Sequence, residues 1–202
     1  MTTKGINVSR ETQEKLALYV DLLTKWTARI NLISKSTIPH IWERHIEDSL
    51  QLARFLAPEQ RVWADIGSGG GLPGLVLAIA ALELAPDLSF DMVEVDQRKA
   101  TFLREVARQV GLPVRVHACK IEQLAPLQAD VLSARALAPL AELCGHAARH
   151  LAPHGMAIFP KGGNYLSEIE QARQNWDFHI QQQPSTTLSE ARILVLSNIH
   201  HV

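Results

Sequence analysis

The sequence predicts an α/β fold: a mostly parallel sheet with an antiparallel C-terminal strand, preceded by a helical extension. Three observations point there. From residue 61 onward, short apolar strand-like runs alternate with helix-period segments, the pattern of a parallel sheet covered on both faces. The last two strand-like runs have no helix between them, and a parallel pair would need a crossover, so they are expected to be antiparallel. No strand-like run occurs before residue 61. The expected organisation is therefore a helical extension over residues 1–60, packed on a ligand-binding domain over residues 61–202.

Each element has its own signal. In residues 10–30, Leu16, Tyr19, Val20, Leu23, Trp26 and Ile30 recur at spacings of three and four, one face of a helix, and Ser9 is its N-cap. A second helix is expected over "IPHIWERHIEDSLQLARFL", entered near Pro39 and ended before Pro58. "RVWADI" reads as a strand, "GLVLAIAALEL" as an apolar helix and "FDMVEV" as a strand. "QRKATFLREVARQVG" places Ala100, Leu103, Val106, Ala107 and Val110 on one helical face, with Gly111 as C-cap. "VRVHAC" and "ADVLSA" are strands, "APLAELCGHAARHL" a helix, "GMAIFP" a strand and "NYLSEIEQARQNW" a helix. "DFHIQQ" and "RILVLSNI" close the sheet, and His200 and His201 read as tail residues.

Composition limits the function. The 202 residues, 47% hydrophobic and 20% charged, suffice for one full core. No apolar run is long enough to span a bilayer, and "MTTKGINVSR" has no apolar signal core, so a cytoplasmic protein without membrane contact is expected. Cys119 and Cys144 stand far apart and read as reduced thiols. The net charge is −1, so any grip on nucleic acid must come from local clustering of cations.

The stretch "WADIGSGGGLPG", residues 63–74, carries five glycines directly after a strand. Ligands of open α/β sheets bind at such carboxyl ends. Gly69, Gly71 and Gly74 satisfy a dinucleotide fingerprint, and Glu94 follows at the right interval, so a nicotinamide dinucleotide is one candidate. Two residues oppose it. Asp65, about 4 Å from a pyrophosphate, would repel it by roughly 4 kcal/mol per charge pair at a protein-like dielectric. Pro73, at the helix start, lacks an N–H for a phosphate. S-adenosylmethionine (SAM), which carries a sulfonium, an ammonium and a ribose diol but no phosphate, fits better. Glu94 would accept hydrogen bonds from the diol, with Asp96 as the fallback.

The stretch "DIGSGGGLPG" resembles the glucose-inhibited division protein B family, the 16S rRNA guanine-N7 methyltransferases of bacteria. "KW" at 25–26 with "NL" at 31–32, "RHIEDSL" at 44–50, "VEVDQRKATFL", "SARA" at 133–136 and "PKG" at 160–162 agree in order. The resemblance implies a Rossmann-like SAM-dependent methyltransferase sheet. It also implies SAM contacts at Gly67, Leu72, Ile121, Glu122 and Arg135, besides Asp65, Gly69, Gly71 and Glu94. Thr27 and Ile33 depart from the residues frequent there, Asn and Thr.

Among the remaining polar residues, Arg44, His45 and Asp48 share a helical face by spacing. They read either as an interhelix salt bridge or, as the resemblance favours, as a wall of the substrate pocket. His40, His45 and Asp48 give no recognised metal spacing, so no metal is expected. Lys161 and Asn31 complete the expected substrate contacts, and Arg135, Arg44 and His45 are the candidate catalytic residues. Arg98, Lys99, Arg104 and Arg108 lie along one helix, either as a solvated face or as phosphate contacts. The expectation is a monomeric enzyme acting on 16S rRNA or the small ribosomal subunit. A small-molecule SAM methyltransferase would need a closing lid, which the short loops do not suggest. A SAM-sensing rRNA assembly factor without turnover is the non-enzyme alternative.

Overall fold

The computed structural model describes residues 8–202. Residues 1–7, the start of the expected extension and most of the stretch examined for a signal core, lie outside the described residues. Helix α1, Arg10–Thr27, begins at Ser9, whose side chain accepts from the Thr12 N–H. Leu16, Tyr19, Val20 and Leu23 are buried beneath it, while Trp26 and Ile30 are half-buried.

The second helical region differs from the regular helix expected. It is a chain of unlike turns: 3₁₀ at Lys35–His40, a π turn at Trp42–Glu47, one α turn, α2, at Asp48–Leu50, and 3₁₀ again at Gln51–Phe55. Pro39 lies inside the first 3₁₀ stretch, where its missing N–H precludes a regular hydrogen-bond ladder. The wide π turn carries Arg44 and His45, and such turns concentrate at functional sites.

The sheet has seven strands: β1 Val62–Ile66, β2 Ser89–Val93, β3 Val114–His117, β4 Ala129–Ser133, β5 Leu151–Lys161, β6 Trp176–Pro184 and β7 Arg192–His201. Their spatial order is β3-β2-β1-β4-β5-β7-β6. β1 pairs in parallel with β2 and β4, β3 extends the sheet beyond β2, and β5 beyond β4. β7 is antiparallel to both β5 and β6, so it alone runs against the sheet. Helices α3 Gly74–Leu84, α4 Gln97–Val110, α5 Leu140–His150 and α6 Tyr165–Ala172 connect the strands. The boundaries shift from the expected ones: β5 begins at Leu151, α6 stops at Ala172 and β6 starts at Trp176. His200 and His201 belong to β7 rather than a tail, and the His201 ring meets Trp176 edge-on.

Apart from Glu83 near its end, α3 is apolar on all sides, which only a helix covered on both faces tolerates. Strand residues Trp63 and Phe90 meet it from the sheet, and Leu16, Leu23, Ile46 and Leu52 cover its outer face in the same continuous core. The helices before residue 60 thus form a third layer. No helix among the described residues is long and apolar enough to cross a membrane.

Candidate active site

The glycine loop leaves β1 and enters α3. Gly67, Gly69 and Gly71 hold positive φ of 63°, 54° and 82°. At Gly71 an added Cβ would come within 2.3 Å of Leu75, and at Gly74 within 2.7 Å of Asp65 Oδ2. Both positions therefore admit only glycine for reasons internal to the fold. Tyr19 ties the loop to α1 by donating its hydroxyl to the Gly70 carbonyl at 2.6 Å.

Asp65 lies beneath this loop, 1% exposed. Ser133 Oγ donates to Asp65 Oδ1 at 2.6 Å and receives in turn from Trp63 Nε1 at 2.9 Å. Burial pushes the Asp65 carboxyl up to about 6, against the opposing pull of the Ser133 and Ser68 hydroxyls. Asp65 and Gly71 line neither of the cavities beside the loop, so the structure gives them a supporting position beneath the ligand surface.

Two cavities flank the loop. The first, about 580 Å³, lies over the ends of β1 and β2 and is lined by Gly67, Gly69, Glu94, Ile121, Glu122 and His146, among others. Glu94, 6% exposed, accepts from the Gly69 N–H and the Asp96 N–H, each at 2.8 Å. Each of its oxygens keeps a further lone pair. Asp96, the fallback acid, is instead spent as the N-cap of α4, accepting from the Arg98 and Lys99 N–H groups. Ile121 and Glu122 sit in a 3₁₀ turn after β3, with Ile121 buried and Glu122 exposed. His146 stands 3.8 Å from Glu142, one turn before it in α5, and 3.9 Å from Glu122, an approach that local spacing does not announce.

The second cavity, about 450 Å³, lies between the loop and the π turn and is lined by Arg44, His45, Asp48, Leu72 and Arg135, among others. Arg44 is exposed at its rim. Leu72 is buried in its wall. Arg135 Nη1 donates to Asp48 Oδ2 at 3.0 Å, and its Nη2 lies 3.4 Å from His45 Nδ1. An arginine has no lone pair to offer, so His45 Nδ1 is the acceptor and its proton sits on Nε2. Nε2 lies 2.8 Å from Thr37 Oγ1, which donates to the Ser34 carbonyl. Burial, then the Arg135 charge, pushes His45 down to about 4. Asp48 Oδ1 also accepts from Thr187 Oγ1 at 2.6 Å and Gln51 Nε2 at 2.9 Å.

The salt bridge is not between helices: Asp48 pairs with Arg135, just after β4, and Arg44 forms no ion pair among the described residues, while the Asp48–Arg135 pair itself lines the cavity. Thr187 and Leu188 come from the β6–β7 loop, and they close the cavity from above. Sequence spacing missed Thr187 and Leu188 because they lie more than 130 residues from Asp48 in the chain, and it passed over Gln51 although that residue stands one helical turn from Asp48. It also missed Lys99 as a site residue, which lines both cavities. Ala136, next to Arg135, holds a φ of 53°, unusual for a residue with a Cβ.

Two expected contacts lie elsewhere. Asn31 is exposed and lines a smaller depression with Arg29, Asp96, Arg98 and Lys99. Lys161 lines a third cavity of about 860 Å³ beyond Arg135 and is held by Glu168 at 2.7 Å and the Ala138 carbonyl at 2.8 Å. That pairing gives Lys161 a structural task, joining β5 to α6. Among the described residues no cluster of His, Cys, Asp and Glu could hold a metal ion.

The profile of the family described as GidB, rRNA small subunit methyltransferase G, matches residues 12–195. The chain is 56% identical over 199 residues to ribosomal RNA small subunit methyltransferase G of Cereibacter sphaeroides (strain ATCC 17025 / ATH 2.4.3), covering 98% of this chain and 96% of that one. It is 52% identical over 198 residues to the protein of the same name from Granulibacter bethesdensis, covering 98% and 91%. Among solved structures, the O-methyltransferase TomG from Streptomyces achromogenes, in complex with SAM, shares the fold with a TM-score of 0.58 at 14% identity, covering 96% and 92%.

Proposed function

This chain belongs to the rRNA small subunit methyltransferase G family, and from that premise we propose that it moves a methyl group from SAM to N7 of one guanine in 16S rRNA. The observation that carries the reading is the meeting of two cavities at Gly67, Gly69, Lys99 and Ala136. One is walled by buried Glu94, the other by Arg135 and His45. A methyl donor in the first would face a base in the second.

The residues of the first cavity fit SAM. Its walls carry Glu94, Glu122 and Glu142 beside Lys99 and Lys120, and it is the buried carboxylate of Glu94 that favours a diol-bearing ligand over a pyrophosphate. The free lone pairs of Glu94 suit a ribose diol, and Ile121 offers an apolar surface to an adenine ring. When bound, SAM supplies a methyl group already activated by a sulfonium.

Guanine N7 carries a lone pair and no proton, so its methylation needs no general base. His45 agrees with that chemistry: its ring is neutral, both nitrogens are engaged, and its affinity for protons is low. Arg135 keeps N–H groups beyond those used on Asp48 and His45, and guanine O6 is a natural acceptor for them. Asp48 balances the guanidinium charge, so the cationic purinium product is not driven off by an unpaired arginine. Catalysis then rests on alignment of N7, methyl and sulfur. The base must leave any stack to enter the cavity, which favours loop RNA.

The test is transfer of radiolabelled methyl from SAM to small ribosomal subunits, followed by mass spectrometry of the digested rRNA. The expected product is one N7-methylguanosine per 16S rRNA. Label on another atom, or transfer only to small molecules, overturns the reading. SAM binding without transfer to any form of the rRNA would favour the assembly-factor alternative.

A further inference from the structure

The charges of α4 and the end of α1 are not a uniformly solvated face. Arg98 pairs with Asp96, and Arg108 with Glu105. Lys25, Arg29 and Lys99 form no ion pair among the described residues, and Arg104 donates only to the Val116 carbonyl. These four cations border two depressions that share Arg29. A trough of about 440 Å³ runs between α1 and α4, with Lys25, Arg29 and Arg104 on its rims. Its floor is Leu22 and the half-buried Trp26, whose ring packs on Phe102 at 5.6 Å. Arg29 continues into a second depression of about 320 Å³, which Lys99 shares. Lys99 in turn lines both cavities at the glycine loop. A chain of net charge −1 thus concentrates free positive charge on a path that ends at the reacting centre.

We propose that this trough seats the sugar-phosphate backbone of the RNA strand flanking the target guanine. The proposal rests on the reading of rRNA as substrate. Evenly spaced phosphates match cations set along a groove, and Trp26 gives the floor an aromatic surface on which an unpaired base stacks without regard to sequence. The contacts position the strand and leave the choice of guanine to the cavity beside Arg135.

The test uses the full chain with Lys25→Gln and Arg29→Gln combined. Both side chains are exposed, so folding is expected to survive, and circular dichroism checks it. The control combines Arg10→Gln and Arg61→Gln, which removes the same charge away from the trough. Binding of a fluorescent single-stranded RNA of mixed sequence is measured from 0.1 to 1 M salt. Each single-strand phosphate contact contributes about 0.7 to the salt slope, so the trough variant should lose about 1.4 in slope and roughly 25-fold in affinity at 0.1 M salt relative to 1 M. SAM affinity should not change, and KM for small subunits should rise. The control should keep the wild-type slope. A wild-type slope in the trough variant, or an equal loss in the control, overturns the proposal. Failure of the wild-type protein to methylate rRNA would instead count against the enzymatic reading, since the binding slopes are read without turnover.

Discussion

Glu94 and His45 show how single side chains set the chemistry. Glu94→Ala removes the acceptor for the ribose diol and the anchor of the Gly69 N–H together. SAM affinity should fall by about 1.5–3 kcal/mol, the range for hydrogen bonds to a charged group, as read by calorimetry. Calorimetry should show no binding of NADH, and tighter binding of NADH than of SAM would end the SAM reading. For His45, the single-turnover transfer rate at saturating RNA and SAM should stay nearly flat from pH 6 to 8, in wild type and in His45→Gln. A tenfold rise per pH unit, abolished by His45→Gln, would mean that a proton is being removed. The same residue enters stability with a sign opposite to that of Asp65. His45 is depressed from 6.5 to about 4, so its contribution is present above pH 6.5 and lost as pH falls towards 4. Asp65 is raised from 3.8 to about 6, so its contribution is present below pH 3.8 and lost as pH rises through 6. The two oppose each other between pH 4 and 6. Asp65→Asn should therefore steepen the loss of stability on acidification and His45→Gln should lessen it, measured by urea unfolding. Parallel pH profiles would contradict both assignments. Glu94 was legible as the acid closing the second strand. The orientation of His45 was not, because its partners Thr37 and Arg135 reach it across separate elements.

The β6–β7 loop acts on the site as an element. Thr187 Oγ1 donates to Asp48, and Gln51 Oε1 accepts from the Thr186 N–H at 2.9 Å. The loop therefore fixes the carboxylate that fixes Arg135. Thr187→Val removes that tie while keeping the side-chain shape. Methyl transfer should slow about tenfold with SAM affinity unchanged, corresponding to about 1.4 kcal/mol, the order of one charge-assisted hydrogen bond. An unchanged rate would leave the loop as a bystander. Nothing in "STTLSEAR" marks it as part of a site, since its partners Asp48 and Gln51 are remote in the chain. The second helical region was legible as helical from its apolar spacing. Its π turn was not, since the residue pattern of "WERHIE" is equally that of an α-helix.

At the scale of the molecule, one core joins the N-terminal helices to the sheet. Leu16, Leu23, Ile46 and Leu52 are fully buried in the same cluster as α3 residues Leu75–Ala81. Residues 61–202 alone would expose the apolar outer face of α3. That fragment should bind a hydrophobic dye and lack a cooperative thermal transition, as followed by near-ultraviolet circular dichroism. A sharp transition would show that the sheet domain stands without its third layer. The alternation of strands and helices was readable along the chain because periodicity is local. The order of strands was not, for adjacency in a sheet depends on contacts between distant segments.

That order bears on how the protein is made. β6 touches no strand but β7, while β7 lies against β5 and follows β6 in the chain. β6 therefore has nowhere to dock until β7 has filled the gap beside β5, so the edge of the sheet closes last. A chain cut off before Arg192 would carry β6 as an unclaimed strand, its unpaired edge open to proteases and chaperones.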